Sequence, residues 1–148
     1  DHIYLALPPQ ELPFGEEDPY LVSYEQILSG DAHEMPYVDL ARLSTQEFIS
    51  YPPTLAMGRL LPRICAQAGF KPNILFTFND FSTALGVVQQ GCGCTLTFET
   101  VIRSSLFSTH PRYYRIDFPP WEVIVAFRKN YQLNFIAREF LRLLKELL

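Results

Sequence analysis

Apolar residues along this chain follow two rhythms, and each rhythm predicts a different element. Residues 2–7, His-Ile-Tyr-Leu-Ala-Leu, are mostly apolar and run into Pro8-Pro9, which predicts a buried strand stopped by proline. Further on, Met57, Leu60, Leu61, Ile64, Cys65 and Ala68 keep the i, i+3, i+4, i+7 spacing of one helix face, and Gly69 supplies a stop. Pro62 conflicts with that helix, because a proline inside a helix removes a hydrogen bond and clashes one turn back. The helix is therefore expected to begin near Met57, so that Pro62 falls early and bends it.

The most regular stretch is 70–98. An apolar strand over 73–78 leads to Asn79 or Asp80, either of which can cap the next helix. Phe81, Ala84, Leu85 and Val88 form its buried stripe, Gly91 ends it, and 94–98 is a second strand, so the whole reads as a βαβ unit. Around this unit the elements are less regular. Residues 8–19 form an acidic, turn-rich loop, 20–28 a second strand, 30–36 a connection, 38–43 a short helical turn and 47–51 a strand. Residues 100–107 read as a short helix, and 113–118 and 121–127 as extended segments separated by Pro119-Pro120. The last helix starts at Gln132 or Asn134, with Leu133, Ile136, Phe140, Leu143, Leu144 and Leu147 on one face and Arg138, Arg142 and Lys145 mostly on the other. Strands alternating with helices predict an α/β fold whose sheet is mostly parallel.

Length and charge narrow the possible functions. At 148 residues the chain holds one domain or two small lobes, and 12 Lys plus Arg against 16 Asp plus Glu leave a net charge of −4, which gives no attraction to phosphate backbones. No apolar run approaches the ~20 residues of a membrane span, and the start Asp-His-Ile-Tyr lacks the features of a signal peptide, so a cytoplasmic location is expected. Cys65, Cys92 and Cys94 are an odd number and make no secreted disulfide framework. Cys92-Gly93-Cys94 invites a redox or metal reading, but it falls short of four zinc ligands, and small residues at a glycine turn before a strand account for it better. His2, His33 and His110 are scattered with no triad spacing, and no phosphate-binding glycine motif exists. Glu11, Glu16, Glu17 and Asp18 lie between prolines and read as a solvated loop. No catalytic residue, metal or cofactor is expected.

Five segments, in order, carry a resemblance. Residues 1–7 look like a Leu-Asp-Ile-Ala-Ile strand, and 23–28 resemble a Glu-x-Leu strand. Residues 38–43 followed by 47–49 resemble Leu-Ala-Asp-Leu…Pro-Phe-Ile, 64–72 resemble Cys-x-x-Ala-Gly-Phe-x-Pro, and 85–94 resemble Leu-Val-Ala-Ala-Gly-x-Gly-Ile. Together they are similar to the effector-binding domain of LysR-type transcriptional regulators. Two departures stand out: His33 is followed by Glu34-Met35-Pro36 where the family often has His-Pro-Leu, and Leu96-Thr97-Phe98 replaces its Leu-Leu-Pro.

The resemblance implies a periplasmic-binding-protein type II-like fold, a two-lobe αβ sandwich with an incomplete first lobe. Residues 1–32 and 121–148 would be remnants of lobe I and 33–120 a whole lobe II, with no DNA-binding domain in the chain. By the same resemblance the chain begins inside the first lobe, downstream of a winged helix-turn-helix. It implies an effector-sensing, oligomerising, non-enzymatic module that binds a small, carboxylate-bearing metabolite between the lobes. The implied ligand residues are Tyr51, Pro52, Pro53, Thr54 and Met57 at the strand-to-helix entry, Trp121 at the return to the first lobe, and Leu7 and Ser23 facing the cleft. The plain alternatives are a stiff Pro52-Pro53 connection with Thr54 as a cap, a Trp121 that belongs to the core, and Asn79 or Asp80 as a cap rather than part of a second pocket. A homodimer or tetramer is implied in the full regulator, pairing through the helix near 57–68 and a first-lobe helix, with DNA reached only through the upstream domain and no membrane partner. The competing reading is a stand-alone solute-binding module of the periplasmic class, with an enzyme of similar architecture third.

Overall fold

The computed structural model describes residues 1–11, 13–15, 17–122, 124–126, 128 and 132–147. Strand β1 (Ile3–Leu7) has all five residues buried and ends at the expected prolines. Strand β2 is only Leu21–Val22, because the chain turns at Ser23 into helix α1 (Tyr24–Ser29) where a strand over 20–28 was expected. The cause is a capping box: the Ser23 hydroxyl accepts from the Gln26 N–H at 3.1 Å, and the Gln26 side chain accepts from the Ser23 N–H at 2.8 Å. Gly30, at φ 92°, then closes the helix in the left-handed region that side chains disfavour.

The expected connection at 30–36 contains a 3-10 turn, Asp31–Glu34, and the helical turn at 38–43 is a second one, Leu40–Leu43, capped by Asp39. Strand β3 (Glu47–Ser50) leads to helix α2 (Ala56–Gln67), β4 (Asn73–Thr77), α3 (Phe81–Gln89), β5 (Thr95–Phe98), α4 (Glu99–Ser104) and β6 (Arg112–Arg115). Helix α2 runs through Pro62, which falls at mid-helix rather than early, on the exposed side. Asp80, not Asn79, caps α3: its Oδ1 accepts from the Thr83 N–H at 2.6 Å and the Thr83 hydroxyl at 2.7 Å.

The sheet corrects the expectation of mostly parallel strands. Its order is β2-β6-β1-β5 with every neighbour antiparallel, because β1 inserts between β5 and β6 and runs against both. The parallel part is local. Strand β3 pairs parallel with β4, and Phe48 of β3 bridges in parallel to Cys94 at the head of β5. The βαβ unit at 70–98 is thus present, with β4 and β5 on either side of β3. Strand β1, read as part of the first lobe, is the central strand of the same sheet as β5 and β6. One hydrophobic cluster joins β1, β3, β5 and β6 to the inner faces of α1 to α4.

The expected strand over 121–127 includes Val123 and Phe127, which lie outside the described residues, and the described residues there form no strand. Trp121 instead exchanges two backbone bonds with Asp1, at 2.7 and 2.9 Å. Helix α5 (Phe135–Leu147) forms as expected, but Ile136, Phe140 and Leu143 of its apolar stripe are exposed, so that face lies outside the core. Glu16 of the acidic loop and the Leu147 side chain lie outside the description.

Candidate functional site

The segment between β3 and α2 is held from three sides. Pro52 O accepts from the Leu55 N–H at 2.9 Å, closing a turn, and the Arg59 guanidinium donates to Pro53 O at 2.7 Å and to Thr54 O at 3.1 Å. Gly58 lets the first turn of α2 press against the same segment, since a Cβ there would lie 2.2 Å from Pro52 O. The Tyr51 hydroxyl donates to Leu96 O at 2.8 Å and accepts from Thr95 Oγ1 at 3.3 Å. Burial pushes the Tyr51 phenol up to about 12, so at neutral pH it stays an uncharged strut between β3 and β5.

From Tyr51 a run of rings leads across the domain. Tyr51 packs on Phe81 at 4.5 Å, Phe81 on Phe98 at 5.1 Å, and Phe98 on Trp121 at 5.1 Å between ring centroids. At its far end Trp121 and Phe118 close a hollow of about 220 Å³ whose other walls are Ala56, Arg59, Leu60 and Arg63 of α2. Arg63 lies over the Phe118 ring at 5.4 Å. Among the described residues neither Arg59 nor Arg63 has a carboxylate within 4.0 Å. Leu55 offers no side-chain cap to α2, so the positive end of this helix's dipole opens beside Ala56. A hollow with two cations, a bare helix N-terminus and two aromatic walls suits a small anion with an apolar body.

The ligand residues expected from sequence separate into groups. Trp121 lines the hollow, whereas residues 51–54 stand outside its lining and are tied to it only through the Arg59 bonds to Pro53 O and Thr54 O. Pro53 and Thr54 are exposed and Pro52 half-buried, while Met57 is only 1% exposed and packs into the core. Leu7 has no exposed surface, and Ser23 is engaged in capping α1, so neither reaches the hollow. Arg59, Arg63 and Phe118 escaped the sequence reading, although two arginines four apart on the polar side of an amphipathic helix were a visible signal. The two close cysteines also part company: Cys92 is exposed, and Cys94 is buried with its thiol pushed up by burial, its Sγ donating to Glu47 O at 3.3 Å.

Residues 10–148 match the model of the LysR substrate binding domain. The chain belongs to that family. LysR proteins are transcriptional regulators, not enzymes. The HTH-type regulator YcgK of Bacillus subtilis (strain 168), itself uncharacterized, is 28% identical over 123 residues, covering 82% of this chain and 37% of YcgK. The chain therefore spans little more than a third of that relative. Among solved structures, the C-terminal domain of a probable LysR family regulator from Rhodococcus sp. RHA1 superposes with a TM-score of 0.62 at 19% identity, over 97% of this chain and 63% of that one. The BenM effector binding domain with its effector benzoate gives a TM-score of 0.52 at 17% identity, over 80% of this chain and 46% of the other. The likenesses to solved structures show the fold, of the periplasmic-binding-protein type II kind. No helix among the described residues is long and apolar enough to cross a membrane.

Proposed function

We infer that this LysR domain senses a small carboxylate-bearing metabolite, held between α2 and the 118–121 segment. The observation that carries the reading is the convergence of Arg59, Arg63 and the uncapped start of α2 on the hollow faced by Phe118 and Trp121. The carboxylate would take the guanidinium groups and the helix N–H groups, and the ligand's apolar body would lie on the two rings. The 51–54 segment, fastened to Arg59, forms the rim that moves when that arginine turns to a ligand. BenM, with its effector benzoate, makes benzoate a sensible first probe.

In the longer regulator, the core that β1 shares with β3, β5 and β6 acts as one of the two lobes. A ligand that prefers the closed lobes shifts the population toward them and so reorients the DNA-binding domains of an oligomer. The exposed edge strand β4, with Ile74, Leu75 and Phe76 open to solvent, is a surface that a second subunit would cover. The test is calorimetric titration of benzoate and aliphatic carboxylates, with Arg63→Ala and Trp121→Ala each weakening the best of them about tenfold or more. Equal affinity in both variants removes the site, and no carboxylate binding at all removes the reading.

A further inference from the structure

Three segments far apart in sequence bring two imidazoles and a carboxylate together. His2 stands at the head of β1, His33 on the 3-10 turn Asp31–Glu34, and Glu99 at the start of α4, and one ligand atom of each lies within 4.8 Å of the other two. His33 Nε2 is 3.1 Å from Glu99 Oε2, and the two imidazole rings are 4.0 Å apart. We propose that His2, His33 and Glu99 form a binding site for a divalent transition metal of the zinc class.

The framework around the three groups is fixed. The Glu99 N–H donates to His2 O at 2.9 Å, which sets these two residues side by side across the strands. Arg103 donates to Glu99 Oε1 at 2.9 Å and leaves Oε2 turned toward the histidines, the outer support that metal-binding carboxylates commonly have. In a tetrahedral zinc site with bonds of about 2.0–2.1 Å, ligand atoms stand roughly 3.3 Å apart, and the His33–Glu99 pair is already near that spacing. Nitrogen ligands in the majority favour zinc, cobalt or nickel over magnesium and calcium, which prefer oxygen.

A second observation concerns the same face of the sheet. Strand alternation puts Tyr4 and Thr97, an opposed pair, on the same sheet face as His2 and Glu99. Both hydroxyls are buried, and among the described residues neither has a hydrogen-bond partner. Tyr4, which is 1% exposed, lines with His2, Tyr37 and Arg115 a hollow of about 260 Å³. His2 is the one residue of the three that also lines this hollow, and three protein ligands leave a fourth position open for a water or anion. The cations of Arg103 and Arg115 keep such a site weaker than a structural zinc centre and suit it to reversible occupancy.

The test uses the whole chain with Zn²⁺ alone in calorimetry and Co²⁺ alone in visible absorption. The wild type should bind one equivalent of Zn²⁺ and give the ligand-field bands of a low-coordinate cobalt site. His33→Ala, a change at a half-exposed side chain, should cost about 10–100-fold in affinity, and Glu99→Gln should cost as much, with circular dichroism checking its fold. Cys92→Ser, which removes the exposed thiol, should change neither signal. No stoichiometric binding by the wild type, unchanged affinity in His33→Ala, or loss of binding in Cys92→Ser would each overturn the proposal.

Discussion

Gly58→Ala and Gly86→Ala make the same chemical change inside two helices, and the packing around them demands opposite signs. Gly58 is the third residue of α2, and a Cβ there would lie 2.2 Å from Pro52 O, 2.3 Å from Tyr51 O and 2.7 Å from the Pro52 carbonyl carbon. All three are backbone atoms, so none can rotate aside. The 51–54 segment would have to retreat by roughly 1 Å, straining its turn and the Arg59 bonds that hold it. Overpacking of this kind costs about 1–3 kcal/mol, and the upper end applies where the obstacle is backbone. Helix propensity returns at most about 1 kcal/mol, less in a first turn, which leaves a net loss near 2 kcal/mol. For a domain of this size that lowers Tm by about 4–8 °C. Gly86 in α3 has nothing within 4 Å of the added methyl, so only the propensity gain remains, about 0.5–1 kcal/mol and a Tm a few degrees higher. Thermal denaturation followed by far-ultraviolet circular dichroism reads both variants. A Gly58→Ala protein as stable as the wild type, or more so, would refute the close approach on which the rim of the site rests.

Two further predictions concern helix starts. Ser23→Ala removes the capping box of α1 and should cost about 1 kcal/mol in urea denaturation, and an unchanged midpoint would show that α1 does not depend on it. The Thr83 hydroxyl and N–H both donate to Asp80 and hold its carboxyl below the usual range. A depressed folded-state pKa contributes stability above the unfolded value and loses it as pH falls through the folded one. Asp80→Asn should therefore flatten the acid limb of the stability profile, and identical acid limbs in the two proteins would contradict the cap.

The elements legible in the sequence were those whose evidence is local. The α2 face from Met57 to Ile64, the Asp80 cap, the Gly91 stop and the Pro8-Pro9 end of β1 each declare themselves within a few residues. Helix α1 was hidden because Tyr20-Leu21-Val22 has the look of a strand and runs directly into Ser23-x-x-Gln26, so the capping box was the only sign of the change. The antiparallel sheet was hidden because it depends on β1 finding β5 and β6 more than eighty residues away, and periodicity says nothing about such pairing. His2, His33 and Glu99 were out of reach for the same reason: each looks isolated, and only the docking of the 31–34 turn against β1 and α4 unites them. At the candidate hollow the resemblance pointed to Trp121 and to a 51–54 segment that stands outside the lining, while the charged wall of Arg59 and Arg63 emerged only when α2 was placed beside Phe118. The α5 stripe shows the reverse case, in which a pattern that predicts a buried face meets no partner within the described residues.

Trp121 is the sole tryptophan of the chain and a wall of the proposed effector site, so its fluorescence can report on that hollow. Titration with benzoate and a series of aliphatic carboxylates should give a saturable change in Trp121 emission, with a midpoint matching the calorimetric one and shifted about tenfold or more in Arg63→Ala. Carboxylate binding detected by heat but silent at Trp121, or no saturable response to any carboxylate, would contradict the account.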